Sequence, residues 1–99
     1  MEIDHKSLKH VDLLTLVGRL DAATSPQLKQ QIDSLFAQGR YQIVLDLAKL
    51  DYVASPGLRV LIEARKRARE FGSDDVNSGD VRIANLPSRI KEVFDLTGF

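Results

Sequence analysis

The chain has 99 residues, 43% of them hydrophobic, and its 14 lysines and arginines are balanced by 14 aspartates and glutamates. That length fits one compact domain spanning residues 1–99, with a core that needs no disulfide or metal staple. Even charge argues against sequence-independent nucleic-acid binding, and the absence of cysteine excludes disulfides, thiolate nucleophiles and cysteine-held metal centres.

The two histidines, His5 and His10, are five apart in a stretch that reads as strand. An odd offset puts them on opposite faces, so they make a poor metal pair and no metal site is expected. No apolar run approaches the length of a membrane span, and the first nine residues do not read as a signal peptide. A cytoplasmic protein with no membrane partner is therefore expected.

Residues 2–20 hold two extended stretches. The second is rich in Val11, Leu13, Leu14, Leu16 and Val17, as in a strand largely covered on both faces, and Gly18 is expected to break it. Ser25-Pro26 reads as a helix start, with serine as N-cap and proline at the first helical position. Leu28, Ile32, Leu35 and Phe36 then share one helix face, and Gly39 is placed to end that helix.

Ile43-Val44-Leu45-Asp46-Leu47 reads as a short buried strand. Ala54-Ser55-Pro56-Gly57 is a second serine-plus-proline start, and its helix is expected to run to about Phe71, with Gly72 as the stop. Residues 73–80 form a polar loop, residues 81–84 a further strand, and Pro87 or Ser88 opens a last helix carrying Ile90, Val93 and Phe94. The order β-β-α-β-α-β-α predicts an α/β fold. About four strands, mixed but largely parallel, should form one layer with helices mainly on one face.

Catalytic machinery is not expected. The sequence has no phosphate-binding glycine loop, no nucleophile elbow and no metalloprotease motif, and the pair Asp74-Asp75 reads as a solvated loop. No enzyme activity, cofactor or small-molecule substrate is predicted. In the basic run Arg65-Lys66-Arg67 with Arg69, Glu63 and Glu70 stand one turn from Arg67 and Lys66, so part of the charge is compensated.

Leu58, Ile62, Arg65 and Arg69 form a line climbing away from Ser55. An aliphatic residue flanked by arginines suits a protein-binding edge, although Ile62 could equally pack on a neighbouring helix. Ser55 has two readings. As a cap, its oxygen would accept from the Gly57 or Leu58 amide and contribute about 0.5–2 kcal/mol. As a regulatory site, the same helix terminus would suit a phosphate.

The run Asp46-Leu47, Leu50, Val53, Ser55, Gly57-Leu58 and Leu61, followed by a basic helix, resembles the STAS domain of bacterial anti-sigma-factor antagonists. Gly18-Arg19-Leu20-Asp21, residues 81–85 leading into Pro87-Ser88-Arg89, and the closing Leu96-Thr97-Gly98-Phe99 fit the same family, so the resemblance covers essentially the whole chain. It implies a partner-switching protein. Unphosphorylated, such a protein binds a GHKL-type serine kinase that also serves as anti-sigma factor, which frees the sigma factor or another client. The kinase phosphorylates the serine, here Ser55, and breaks the complex; a PP2C-type phosphatase resets it. Asp21 matches the acidic residue beside that serine. No direct contact with nucleic acid is implied.

Asp21, Tyr52, Ala54, Pro56, Gly57, Leu58, Ile62, Arg65 and Arg69 are thus the expected partner-binding residues around Ser55. The family's usual form at the serine is Asp-Ser-Ser-Gly-Leu, where this chain has Ala54-Ser55-Pro56-Gly57-Leu58. Its 73–80 loop is longer than the usual glycine turn, and it stops at Phe99 where many relatives continue, so it reads as a minimal or trimmed version. The alternative is a STAS module that is never phosphorylated, acting as a scaffold or as a subunit of a transport or lipid-trafficking assembly.

Overall fold

A computed structural model describes residues 1–71 and 79–96. The chain runs β1 (Glu2–Ser7), β2 (Asp12–Leu20), α1 (Ser25–Ala37), β3 (Gln42–Val53), α2 (Ser55–Arg69), β4 (Asp80–Ala84) and α3 (Ser88–Asp95). The four strands form one sheet in the order β1-β2-β3-β4. β1 is antiparallel to β2, while β2, β3 and β4 are mutually parallel. The predicted mixed layer and element order are both present. Among the described residues no helix is long and apolar enough to cross a membrane.

Parallel pairing follows from the two crossover helices, since a strand can rejoin its neighbour in parallel only by way of such a connection. Leu14 stands opposite Leu45, and Ile43 opposite Val81, so one sheet face is continuously apolar. Leu28, Ile32, Leu35 and Phe36 of α1, Leu61, Ala64 and Ala68 of α2, and Ile90 and Phe94 of α3 close over it as one core. Leu13, Thr15, Val44 and Asp46, on the opposite face, are only partly covered.

Gly39 ends α1 as expected. It has φ +77°, its amide reaches the Phe36 carbonyl, and the Arg40 amide reaches Leu35. That is the double hydrogen bond of a Schellman stop, which needs a left-handed residue at this point.

Several boundaries differ from expectation. β3 does not end at Leu47 but continues to Val53, and β2 passes through Gly18 to Leu20. Thr15 pairs with Asp46, Val17 with Lys49 and Arg19 with Tyr52, so β3 carries two extra residues across two register shifts. The shifts let Leu47, Leu50 and Val53 all reach the core at a spacing of three, and Gly18, at φ +107°, absorbs the local distortion. α2 stops at Arg69 and β4 starts at Asp80. Gly72, the rest of the 73–80 loop apart from Gly79 and Asp80, and the closing residues 97–99 lie outside the described residues.

Neither serine acts as a helix cap. Thr24 and Ala54 occupy the N-cap positions, so each serine is already helical and each proline sits at the second position. At α2 the Ala54 carbonyl accepts from the Gly57 and Leu58 amides, which leaves Ser55 without a cap hydrogen bond. At α1 the Ser25 hydroxyl instead donates backward to the Asp21 carbonyl.

Asp12 was not anticipated from the sequence. Its side chain is 1% exposed, at 2.7 Å from Arg40 Nε and 2.8 Å from His5 Nε2. Burial pushes the Asp12 carboxyl up, but hydrogen bonds from His5, Arg40 and Ser7 outweigh it and hold the pKa below 3.8. Arg40 also donates to the Leu8 carbonyl, tying the β1–β2 turn to the start of β3.

Candidate partner-binding site

The site forms where the carboxyl ends of β2 and β3 meet the start of α2. The Ala54 amide donates to the Leu20 carbonyl at 2.9 Å, joining the two segments. Gly57 then lies so close that a Cβ there would stand 2.5 Å from Leu20 Cγ and 3.1 Å from Leu20 O. Only glycine fits, because Leu20 is fully buried and its backbone is fixed in the sheet. Gly57 is itself buried, so its contribution is to seat the helix rather than to touch a partner.

That seating leaves Ser55 exposed on the first turn, its hydroxyl making no cap hydrogen bond. Ser55, Leu58, Arg59, Ile62 and Glu63 line an open groove. Ile62 is 42% exposed, so it does not pack against a neighbouring helix. Arg59 was not singled out in the sequence and Glu63 was read only as a charge partner of Arg67; the available signal was that Arg59 stands four residues after Ser55 on one helix face.

On the sheet side, Arg19 and Tyr52 face each other across β2 and β3, and the Arg19 guanidinium lies 4.2 Å over the Tyr52 ring. Tyr52 is 41% exposed, which presents an aromatic surface beside the site. Asp21 serves the turn before α1. Its carboxylate accepts from the amides of Thr24 and Ala23, and these bonds, with the charge of Arg19 at 3.8 Å, hold its pKa below the usual value.

Arg65 and Arg69 do share a side of α2, but they do not stand free. Both reach Asp80 at the start of β4, at 3.3 and 3.2 Å, and Arg82 approaches the other carboxylate oxygen at 3.5 Å. Burial raises the Asp80 carboxyl, but the Val81 amide and the arginine charges lower it further. This end of the predicted line therefore clasps α2 to β4. Arg67 pairs with Asp33 of α1 and covers the Phe36 ring rather than relying on Glu63. Among the described residues no three histidine, aspartate or glutamate side chains gather as a metal would require.

The family model described as "Mlab, STAS domain" matches residues 3–99. The BtrV protein of Bordetella bronchiseptica, a candidate anti-sigma factor antagonist, is 32% identical over 84 residues, which are 85% of this chain and 67% of that protein. The crystal structure of an anti-sigma factor antagonist from Mycobacterium paratuberculosis superposes with a TM-score of 0.80 at 21% identity, covering 98% of this chain and 77% of that one. SpoIIAA, a Bacillus cell fate determinant seen in its phosphorylated form, gives a TM-score of 0.74 at 18% identity over 98% of this chain and 84% of its own. These matches span the strands, helices and site just described, and the chain belongs to the STAS-domain family.

Proposed function

We propose that this protein is an anti-sigma-factor antagonist in a partner-switching pathway, working in the cytoplasm as a single STAS domain. With Ser55 unmodified it binds a GHKL-type anti-sigma serine kinase and frees the kinase's client. Phosphorylation moves the γ-phosphoryl group of ATP to Ser55 Oγ; the bond to ADP breaks and the hydroxyl proton passes to the kinase's base. A PP2C-type phosphatase removes the phosphate by hydrolysis. The binding surface is Asp21, Tyr52, Ala54, Ser55, Pro56, Leu58 and Ile62, seated by Gly57, with Arg65 and Arg69 at its far margin.

The observation that carries this reading is the exposed Ser55 hydroxyl at the rim of a groove, free of any cap duty. The relatives' names support antagonism, and SpoIIAA, known phosphorylated, supports the switch by analogy of fold. A phosphate adds about −1.5 to −2 charges on an exposed first turn, so the fold survives and the loss falls on the partner. Mg-ATP and the cognate kinase, with intact mass as readout, should add one phosphate to the wild type and none to Ser55→Ala. A kinase active on another substrate that leaves the wild type unmodified would overturn the proposal.

A second reading has one feature in its favour. Ala54 and Pro56 flank the serine where a kinase would have to grip extended backbone, and Pro56 has no amide to offer. On that reading the groove serves a constitutive scaffold, or a subunit of a transport or lipid-trafficking assembly. It predicts binding to a partner that is indifferent to ATP.

A further inference from the structure

The chain has eight arginines, and all are among the described residues. Seven have an aspartate within ion-pair distance: Arg65, Arg69 and Arg82 share Asp80, and four others each hold one of their own. Arg59 is the exception, with no carboxylate partner among the described residues. It is exposed, and it lines the groove together with Ser55, four residues before it. That spacing places the two side chains over one another on the helix surface. Glu63, one turn further on in the same groove, forms no ion pair with it.

Among the described residues every other arginine has a carboxylate partner, and the one left without lines the same groove as the phosphorylation candidate. We propose that Arg59 reads the modification: phosphoserine at 55 pairs with Arg59 along α2. In the unmodified protein the guanidinium is free to meet an acidic group of the partner. Once the phosphate is present, the guanidinium is drawn to the amino-terminal end of the groove and that contact is withdrawn. Release then combines a new charge at Ser55 with the loss of an old one at Arg59. Glu63, in the same groove, opposes the phosphate rather than holding it, and the Arg19–Asp21 pair lies on the sheet side of the site.

This inference rests on Ser55 as the modified residue, yet it can be tested without the kinase. Phosphoserine is placed at position 55 by genetic encoding in the full chain, and its phosphorus resonance is followed through a pH titration. Pairing with Arg59 favours the dianion, so the Arg59→Gln variant should titrate several tenths of a pH unit higher than the wild type at low salt. Arg59→Lys should retain most of the lowering, and added salt should erase the difference. Superimposable titrations of wild type and Arg59→Gln at low salt would overturn the inference. Failure of a kinase to modify Ser55 would instead strike the proposed function and leave this result untouched.

Discussion

Gly57 packs onto Leu20 with no room for a methyl group: a Cβ would sit 2.5 Å from Leu20 Cγ and 2.9 Å from Leu20 Cδ2. One close approach thus fixes the start of α2 against the end of β2 and sets where Ser55 emerges. Gly57→Ala should cost about 1–3 kcal/mol through overpacking, despite alanine's better helix propensity. Urea unfolding measures it. A variant as stable as the wild type would mean that α2 can shift away from Leu20.

The buried Asp12–Arg40–His5 cluster makes a prediction about acid. Asp12 has a folded-state pKa below 3.8, so its contribution is present above that value and is lost as pH falls through the folded pKa. Asp33 and Asp80 are shifted in the same direction by their arginines and lysine, and add to the acid limb. Asp12→Ala should lose about 3–5 kcal/mol at neutral pH, because Arg40 is left half-buried without its partner. Asp12→Asn should show a shallower fall in stability below about pH 4 than the wild type. Parallel curves of stability against pH would contradict the assignment.

Arg65 and Arg69 give a different result from the one their sequence position suggests. From the sequence alone, reversing both to glutamate should weaken partner binding with little effect on stability. Their shared contact with Asp80 changes this, since two glutamates would face that carboxylate across the α2–β4 seam. Arg65→Glu with Arg69→Glu should cost about 1–2 kcal/mol in thermal unfolding, more at low salt than at high. An unchanged midpoint at low salt would place the arginines in solvent, free for a partner.

The elements were legible in the sequence wherever periodicity was unbroken. α1 and its Gly39 stop, the edge strand at residues 81–84 and the last helix at Ser88 all follow from spacing and end signals. What could not be read was where two strands slip past each other. The period of two in β3 stops at Leu47 because the register shifts replace it with a spacing of three, which looks like a strand end. Ser55 was visible as the start of α2, but that Ala54 rather than Ser55 holds the N-cap position was not, because either residue can stand first on the helix. Long-range ion pairs left little trace: Asp12 to Arg40 and Arg65 to Asp80 join residues 28 and 15 apart. The parity of Asp12 with Leu14 and Leu16 was the one hint that its side chain faces the core.

Because Ala54 holds the N-cap position, Ser55→Ala should leave stability unchanged to within about 0.5 kcal/mol. A true capping serine would lose about 1 kcal/mol instead. Paired thermal melts of the two proteins decide the point, and a loss of that size would return Ser55 to the cap.

The central claim is that one phosphate at Ser55 decides whether the partner stays bound. The most direct measurement is titration calorimetry of the cognate anti-sigma kinase, without ATP, against the unmodified chain and the chain carrying encoded phosphoserine at 55. The account predicts that the modified chain remains folded and binds at least about 100-fold more weakly, or roughly 2.7 kcal/mol. Equal affinity of the two forms for the kinase would contradict it.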